Sequence, residues 1–351
     1  MSEYGEYEES RIYKSDKRRL QQVNDLLLQE GIQKDENLEY TMGIFDGDQL
    51  VATGSFFKNT LRCLAVDSRY QGEGLLNKVM THLLNVQYQN GNTKVFLYTK
   101  CDKAKFFADI GFYEIAKVEG MVVFMENRAS GFKQYLRSLA QENVPGHSVA
   151  AVVINANPFT LGHQYLLETA AAENDVLHVF VVSEDVSLVP FQVRYELVKK
   201  GAAHLKNVVL HETGNYIISH ATFPSYFIKD ADSVIEAHAK LDIEIFKNKI
   251  APALGITKRY VGDEPFSRVT NIYNTIMQRE LEKSKMTCIV LPRKQFGDTP
   301  ISASRVRQYI REGQIEAIKS LVPASTYNFF VSEAGAEVVK QIQFAANVIH
   351  Y

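Results

Sequence analysis

The stretch that most constrains the fold of this chain is residues 148–168, SVAAVVINANPFTLGHQYLLE. Its apolar run, Val149 to Ile154, is typical of a buried strand, and the polar turn after it leads into a helix that begins near Thr160. A helix N-terminus that directly follows a buried strand presents backbone N–H groups and the positive end of the helix dipole. Gly162 lets a ligand approach these groups closely. The stretch therefore predicts an anion site, in which His163 on the first helical turn can donate to a phosphate.

Composition limits the number of domains, the kinds of partner and the cellular compartment that we expect. The chain has 351 residues and is 46% hydrophobic, which is enough for two domains with their own cores. The formal net charge of −2 predicts neither a nucleic-acid nor a membrane surface, and the acidic, polar N-terminus does not resemble a signal peptide. Three widely spaced cysteines fit a reducing compartment and form neither a disulfide framework nor a zinc site. We expect a soluble cytoplasmic protein without a protein-bound metal.

The first 129 residues contain two signatures in order. Arg69-x-x-Gly72-x-Gly74 lies between a predicted strand and a predicted helix, and residues 106–112 read FFADIGF. Together they resemble the pyrophosphate loop and the second signature of GNAT-type acetyltransferases, which hold acyl-CoA by backbone amides. The resemblance implies a GNAT-like α+β domain in which Arg69, Gln71, Gly72 and Gly74 contact a CoA-like group.

One residue departs from that family's pattern. Many GNAT enzymes have a tyrosine general acid where this chain has Phe107. A phenyl ring cannot donate a proton to a leaving thiolate. We therefore interpret the domain as binding a CoA-like group rather than transferring an acetyl group itself. A GNAT fold that serves only for docking or packing is the alternative.

The second half of the chain alternates strands and helices. A predicted helix and the break at residues 143–146 make 130–147 a linker, and residues 148–351 form the second domain. Alternation of this kind predicts a Rossmann-like parallel sheet with helices on both faces, so the fold class is α/β. In such sheets ligands bind outside the carboxyl ends of the strands. The candidate polar residues all follow predicted strands.

The second signal in this domain is residues 301–307, ISASRVR. A serine at 302 or 304 can cap the next helix, and Arg307 can meet a phosphate with a charge-assisted contact. T-x-G-H at 160–163 and this segment resemble the H-x-G-H and I-S-S-T-x-x-R signatures of nucleotidylyltransferases. Gly262 and Asp263 resemble a region that contacts adenosine in that superfamily.

Longer segments narrow the resemblance. The segments NANPFTLGHQYLLE, ATFPSYFIKD, VGDEPFSRVTNIYN, LPRK and ISASRVR resemble the citrate lyase ligase family, and the GNAT-like domain fits as well. The resemblance implies an AMP-forming acid–thiol ligase. Such an enzyme uses ATP, Mg²⁺ and acetate to acetylate the dephospho-CoA-derived thiol on the acyl carrier subunit of citrate lyase.

From this resemblance we assign the site residues. His163, Thr160 and Arg307 are the catalytic candidates, and Arg194 is the candidate contact to the acyl substrate, with a surface arginine as its alternative. The ATP-binding candidates are Asn157, Gly162, Gly262, Asp263, Arg293, Lys294, Ser302 and Ser304. Arg293 and Lys294 can equally be solvated surface charges.

Two other functions remain open at this point. A cofactor-biosynthetic adenylyltransferase would share the nucleotidylyltransferase signatures but would have no reason for the GNAT-like domain. A GNAT acetyltransferase with a nucleotide-sensing second domain is disfavoured by Phe107. The sequence does not fix the oligomeric state, the carrier-docking surface, the acyl specificity or any regulation.

Overall fold

A computed structural model of the chain describes residues 7–184, 186–217, 223–224, 226, 228, 230–263, 267–297 and 299–345. The chain divides into two compact units. The first consists of Met1–Gln134 and Thr222–Ala237, and the second of Tyr135–Ala221 and His238–Tyr351. Within the described ranges, no helix combines the length and the apolar character that crossing a bilayer requires.

The first unit is built on a mixed seven-stranded sheet in the order β1-β2-β3-β4-β5-β7-β6. Only β4 and β5 pair in parallel, and they do so over two residues on each strand before they separate. The strands are β1 Glu8–Ile12, β2 Tyr40–Asp46, β3 Gln49–Phe57, β4 Thr60–Val66, β5 Phe96–Thr99, β6 Tyr113–Val118 and β7 Val122–Glu126. The helices are α1 Lys17–Gln29, α2 Leu75–Gln89 and α3 Ala104–Asp109, and α4 Gly131–Gln141 begins here and ends in the second unit.

Helix α2 covers one face of this sheet because its apolar residues recur at helical spacing. Leu75, Val79 and Leu83 are almost completely buried in the same core as the strands. The helix lies close to β3 because Gly54 has no side chain. A Cβ at that position would lie 2.5 Å from Val79 Cγ1. This packing fixes where the N-terminus of α2, and hence the glycine loop before it, lies relative to β4.

The second unit contains a five-stranded sheet in the order β10-β9-β8-β11-β12, in which every neighbouring pair is parallel. The strands are β8 Val149–Ile154, β9 Val176–Val181, β10 Val208–Glu212, β11 Lys258–Gly262 and β12 Thr287–Leu291, and a short hairpin follows with β13 Gln295–Phe296 and β14 Thr299–Pro300. The helices are α5 Leu161–Ala172, α6 Phe191–Gly201, α7 Ala231–Ile245, α8 Ala251–Leu254, α9 Arg268–Lys283, α10 Ala303–Arg311, α11 Ala324–Val331 and α12 Ala336–Phe344. Helix α7 begins in the first unit.

The order of these strands locates the site. The chain moves outward from β8 through β9 to β10, and then returns to place β11 on the other side of β8. A crevice forms at the carboxyl ends of two strands whose connections leave in opposite directions. That reversal lies between β8 and β11. The predicted fold class is confirmed: an α+β unit precedes a Rossmann-like unit with a parallel sheet.

Candidate active site

The N-terminus of α5 is organised by a reciprocal pair, Thr160 and His163. The Thr160 hydroxyl caps the helix by accepting from the backbone N–H of His163 at 3.3 Å, and Thr160 N–H donates to His163 Nδ1 at 3.1 Å. Since Nδ1 accepts, the proton of the neutral imidazole is on Nε2. The cap therefore holds the ring in one orientation and one tautomer, with Nε2–H left to donate to a ligand.

The surroundings of His163 keep it neutral. Burial, followed by the charge of Arg293, lowers the pKa of His163 to about 4. Its ring also stacks on the buried ring of Phe159, with centroids 5.8 Å apart. At neutral pH the imidazole is a hydrogen-bond donor and carries no positive charge.

The segment ISASRVR lies directly against this helix N-terminus. Ser302 caps α10 by accepting from Arg305 N–H at 3.2 Å. A Cβ added to Gly162 would lie only 3.3 Å from the carbonyl oxygen of Ile301. The two signatures are thus adjacent. The backbone N–H groups of Gly162, Ala303 and Ser304 have no hydrogen-bond partner among the described residues, so two helix N-termini offer donors to one anion.

Arg307 connects α10 to the turn that follows β8. Its Nη1 donates to the carbonyl oxygen of Asn157, and its Nη2 lies 3.4 Å from Ser304 Oγ. Burial, with a smaller contribution from Arg311, lowers the pKa of Arg307. The bond from Nη1 joins α10 to the turn after β8, and the rest of the guanidinium faces a cavity.

That cavity has a volume of about 510 Å³ and is strongly basic. Among the described residues, the one carboxylate in its lining, Glu312, accepts a hydrogen bond from Gln308 at 2.9 Å. The lining residues are Arg293, Thr299, Pro300, Ser302, Ser304, Arg305, Arg307, Gln308, Arg311 and Glu312. Four arginines against one carboxylate make this a site for a polyanion.

The ends of β11 and β12 supply the opposite side of the crevice. Arg293 Nε donates to the carbonyl oxygen of Asp263 at 2.7 Å, so the loops after the two strands are joined. A Cβ at Gly262 would meet nothing within 4 Å, which leaves open space at this strand end. Lys294 does not line the cavity; its Nζ lies 5.9 Å from the centre of the Tyr165 ring.

Two predicted residues, Thr160 and Asn157, have structural roles that the sequence did not indicate. The Thr160 side chain is buried and occupied by the helix cap, so it positions His163 and does not offer its hydroxyl to a phosphate. The side chain of Asn157 accepts from Val189 N–H at 3.1 Å, and its carbonyl accepts from Arg307. These contacts form the wall of the site.

Arg194 also requires a correction. Its side chain is completely buried, and it donates to the backbone carbonyls of Val189, Asn155, Val182 and Glu184 at 2.7–2.9 Å. A guanidinium committed in this way supports the loops that follow β8 and β9. The alternative of a surface arginine is therefore wrong, and the contact to the acyl substrate stays a prediction.

Two cavity residues, Arg305 and Arg311, were absent from the predicted site. Arg311, one helical turn after Arg307, can share a face of the predicted helix with it, and this spacing was the available signal. Arg305, two residues before Arg307, gave no such signal.

In the first unit, the glycine loop adopts backbone conformations that favour glycine. Gly72 and Gly74 have φ values of +93° and +74°, and Gly74 is the N-cap of α2. The Arg69 side chain donates to both oxygens of Asp67 at 3.0 and 2.6 Å, and these bonds hold the pKa of Asp67 at about 2. Phe107 is buried in the core of this unit, so its ring has a packing role.

Comparisons with known proteins show which family the chain belongs to. The family described as the citrate lyase ligase C-terminal domain matches residues 149–330. The chain is 38% identical to the [citrate [pro-3S]-lyase] ligase of Escherichia coli K12 over 91% of this chain and 92% of that protein. It is also 38% identical to the enzyme of the same name from Klebsiella pneumoniae, over 92% and 95%. Among solved structures, Thermotoga maritima TmcAL bound with alpha-thio ATP is 13% identical with a TM-score of 0.34, covering 54% of this chain and 57% of that one. With this identity over nine-tenths of its length, the chain belongs to the citrate lyase ligase family.

Proposed function

We propose that this enzyme activates acetate with ATP to give acetyl-adenylate and transfers the acetyl group to the thiol on the acyl carrier subunit of citrate lyase. The observation that carries the proposal is the contact between two helix N-termini. The start of α5, with Gly162 and His163, lies against Ile301, and the start of α10, with Ser302, Ser304 and Arg307, lines the arginine-rich cavity. The names of the related enzymes supply citrate lyase as the target.

The first step requires no nucleophile from the protein. An acetate oxygen forms a bond to the α-phosphorus, the bond from this phosphorus to the bridging oxygen breaks, and its electron pair leaves with pyrophosphate. Negative charge grows on the phosphate oxygens, so donors that are already oriented lower the barrier. His163 Nε2–H and the N–H groups of Gly162 and Ser304 are such donors.

The second step is acyl transfer. The carrier thiol attacks the acetyl carbon, a C–S bond forms, and the C–O bond to AMP breaks, so AMP leaves and the thiol proton passes to solvent. We assign binding of the CoA-like arm of the carrier to the glycine loop of the first unit. The positive φ values of Gly72 and Gly74 and the uncapped N-terminus of α2 support that assignment.

In the described ranges, no group of three or more His, Cys, Asp or Glu side chains could hold a metal ion. The cavity offers arginines to phosphate. The one carboxylate among its described lining residues, Glu312, accepts a hydrogen bond from Gln308. Mg²⁺ would arrive on the triphosphate, and no step above depends on it.

The test is isotope exchange between labelled pyrophosphate and ATP, with and without acetate. We expect exchange that depends on acetate, since only formation of the acyl-adenylate is reversed by pyrophosphate. If exchange requires the carrier, adding purified holo-carrier will restore it. Absence of acetate dependence in both cases, together with pyrophosphate release driven by a phosphorylated nucleotide-like acceptor, would instead indicate a cofactor-biosynthetic adenylyltransferase.

A further inference from the structure

Helix α10 carries three arginines on the wall of the cavity: Arg305, Arg307 and Arg311. They differ in how much of their hydrogen-bonding capacity the protein uses. Arg307 is bonded to Asn157 and Ser304, as described above. The other two arginines were not among the predicted site residues, and they differ in their partners.

Arg311 makes no hydrogen bond or ion pair with any residue that the structure describes, although it lines the cavity. The neighbouring carboxylate, Glu312, bonds to Gln308 instead. Arg305 donates through Nε and Nη2 to Tyr309 OH at 3.3 and 3.1 Å, and its Nη1 is buried without a partner. Buried donors without partners are rare in native proteins and often indicate a ligand.

This concentration of like charge has an energetic cost. Arg307 and Arg311 lie one helical turn apart, and the charge of Arg311 disfavours the protonated form of Arg307. Arg293 adds a further positive charge from the loop after β12. Among the described residues, the one carboxylate that lines the cavity is Glu312, so a polyanionic ligand would balance the excess of positive charge.

The position along the helix distinguishes the three arginines. The N-terminal end of α10, with Ser302 and Ser304, lies beside Gly162 and His163. Arg311 is seven residues beyond Ser304, which is about 10 Å along the helix axis. It therefore lies farther from the reacting phosphorus than Arg307 does.

We propose that Arg311, assisted by Arg305, binds the terminal phosphates of ATP and the leaving pyrophosphate, and so sets the preference for ATP over ADP. The inference rests on the proposed function and assigns a role to residues outside the predicted site. When the bond between the α-phosphorus and the bridging oxygen breaks, the electron pair goes to pyrophosphate. Arg311 then meets the charge that this group gains.

The first test measures binding, not activity. Calorimetry with inorganic pyrophosphate and, separately, with AMP compares the wild type with Arg311→Gln. Losing one charge-assisted contact of about 1.4 kcal/mol raises Kd for pyrophosphate roughly tenfold. Kd for AMP is expected to stay within about twofold. Arg279→Gln is the matched control, because Arg279 is an exposed arginine of the same unit that pairs with Glu280.

The KM values then distinguish a specific loss of phosphate binding from a general loss of folded protein. In the acetate-dependent exchange reaction, Arg311→Gln raises KM for ATP and for pyrophosphate and leaves KM for acetate unchanged, and Arg311→Lys recovers part of the loss. Unchanged pyrophosphate binding in Arg311→Gln, or an equal loss of AMP binding, would overturn the assignment. A wild type that binds pyrophosphate but shows no acetate-dependent exchange would contradict the proposed function and leave the Arg311 assignment standing.

Discussion

At the scale of single residues, His163 shows how much a local motif can reveal. Its position on the first turn of a helix after a buried strand was predicted, because strand and helix periodicity are visible in the sequence. The use of its Nδ1 by Thr160 was not predicted, because the sequence motif suggests two ligand-binding side chains in equivalent roles. The structure instead has one donor and one residue that positions it.

Removing the His163 imidazole tests its catalytic role. We expect His163→Ala to lower the rate of pyrophosphate exchange by roughly 10²–10³, the usual cost of losing one preorganised donor to developing charge. His204→Ala is the control, because His204 is a surface histidine of the same unit, paired with Glu168 at 3.0 Å. Circular dichroism would verify that both variants fold. An exchange rate for His163→Ala within about threefold of wild type would remove His163 from the catalytic set.

Arg194 illustrates the limit at this scale. Its position on α6 is visible in the sequence, yet nothing local shows that loops after two different strands turn their carbonyls toward it. The number of hydrogen-bond acceptors around a buried guanidinium depends on long-range packing. Assigning a role to such an arginine therefore requires the tertiary structure.

At the scale of elements, the parallel sheet of the second unit followed from its apolar runs. The predicted and observed bounds of β8 are the same, because a strand buried on both faces is a continuous apolar segment. Strands β1, β6 and β7 were not predicted. The β1 segment, EESRI, lies at the sheet edge with most of its residues exposed, so it lacks the apolar signal.

A pair of buried histidines joins β9 to β10. His178 Nδ1 and His211 Nε2 lie 2.8 Å apart, and His211 Nδ1 lies 2.8 Å from Glu142 Oε2. Since the carboxylate accepts from His211 Nδ1–H, His211 Nε2 accepts from His178 Nδ1–H. Both rings are then neutral, and His178 Nε2 remains without a partner, as observed.

This pair predicts a loss of stability in mild acid. Burial lowers the pKa of each histidine to about 4, with His211 adding to the effect at His178. The unfolded chain binds protons near its ordinary pKa of about 6.5 and the folded chain does not. Stability is therefore complete above pH 6.5 and falls as the pH drops toward 4. The expected loss is about 1.4 kcal/mol per histidine between pH 7.5 and 5.5.

Urea unfolding at the two pH values measures this loss. A His178→Leu, His211→Leu double variant removes both titrating groups, and replacing both hydrogen-bonding partners by apolar groups costs little. We expect a smaller drop in the variant than in the wild type. Equal drops in the two proteins would show that other groups cause the acid sensitivity.

At the scale of the whole molecule, two units are assembled from a chain that crosses between them three times. Residues Thr222–Ala237 return to the first unit after the second has begun. Tyr226 there is buried, and its backbone carbonyl accepts from Gln33 N–H at 2.6 Å. A return of this kind cannot be predicted from composition, because the segment lies between elements of the second unit and carries no linker signal.

The first unit must bind the CoA-like arm of the carrier if the proposed function is correct. We expect dephospho-CoA to inhibit acetyl transfer to the carrier competitively, and Gly72→Asp to weaken that inhibition at least tenfold. A carboxylate in the loop would repel the pyrophosphate of the arm and compete for the same N–H groups.

Gly91→Asp is the matched control for this experiment. Gly91 and Gly72 are both exposed, have φ values of +80° and +93°, and have nothing within 4 Å of an added Cβ, so the backbone strain introduced by aspartate is similar. They lie at opposite ends of α2, and only Gly72 precedes its N-terminus. Weaker inhibition in Gly72→Asp alone would place the arm at the glycine loop. Equal inhibition constants in the two variants would show that the arm binds elsewhere. Acetate-dependent exchange measured without the carrier is expected to stay at the wild-type rate in both.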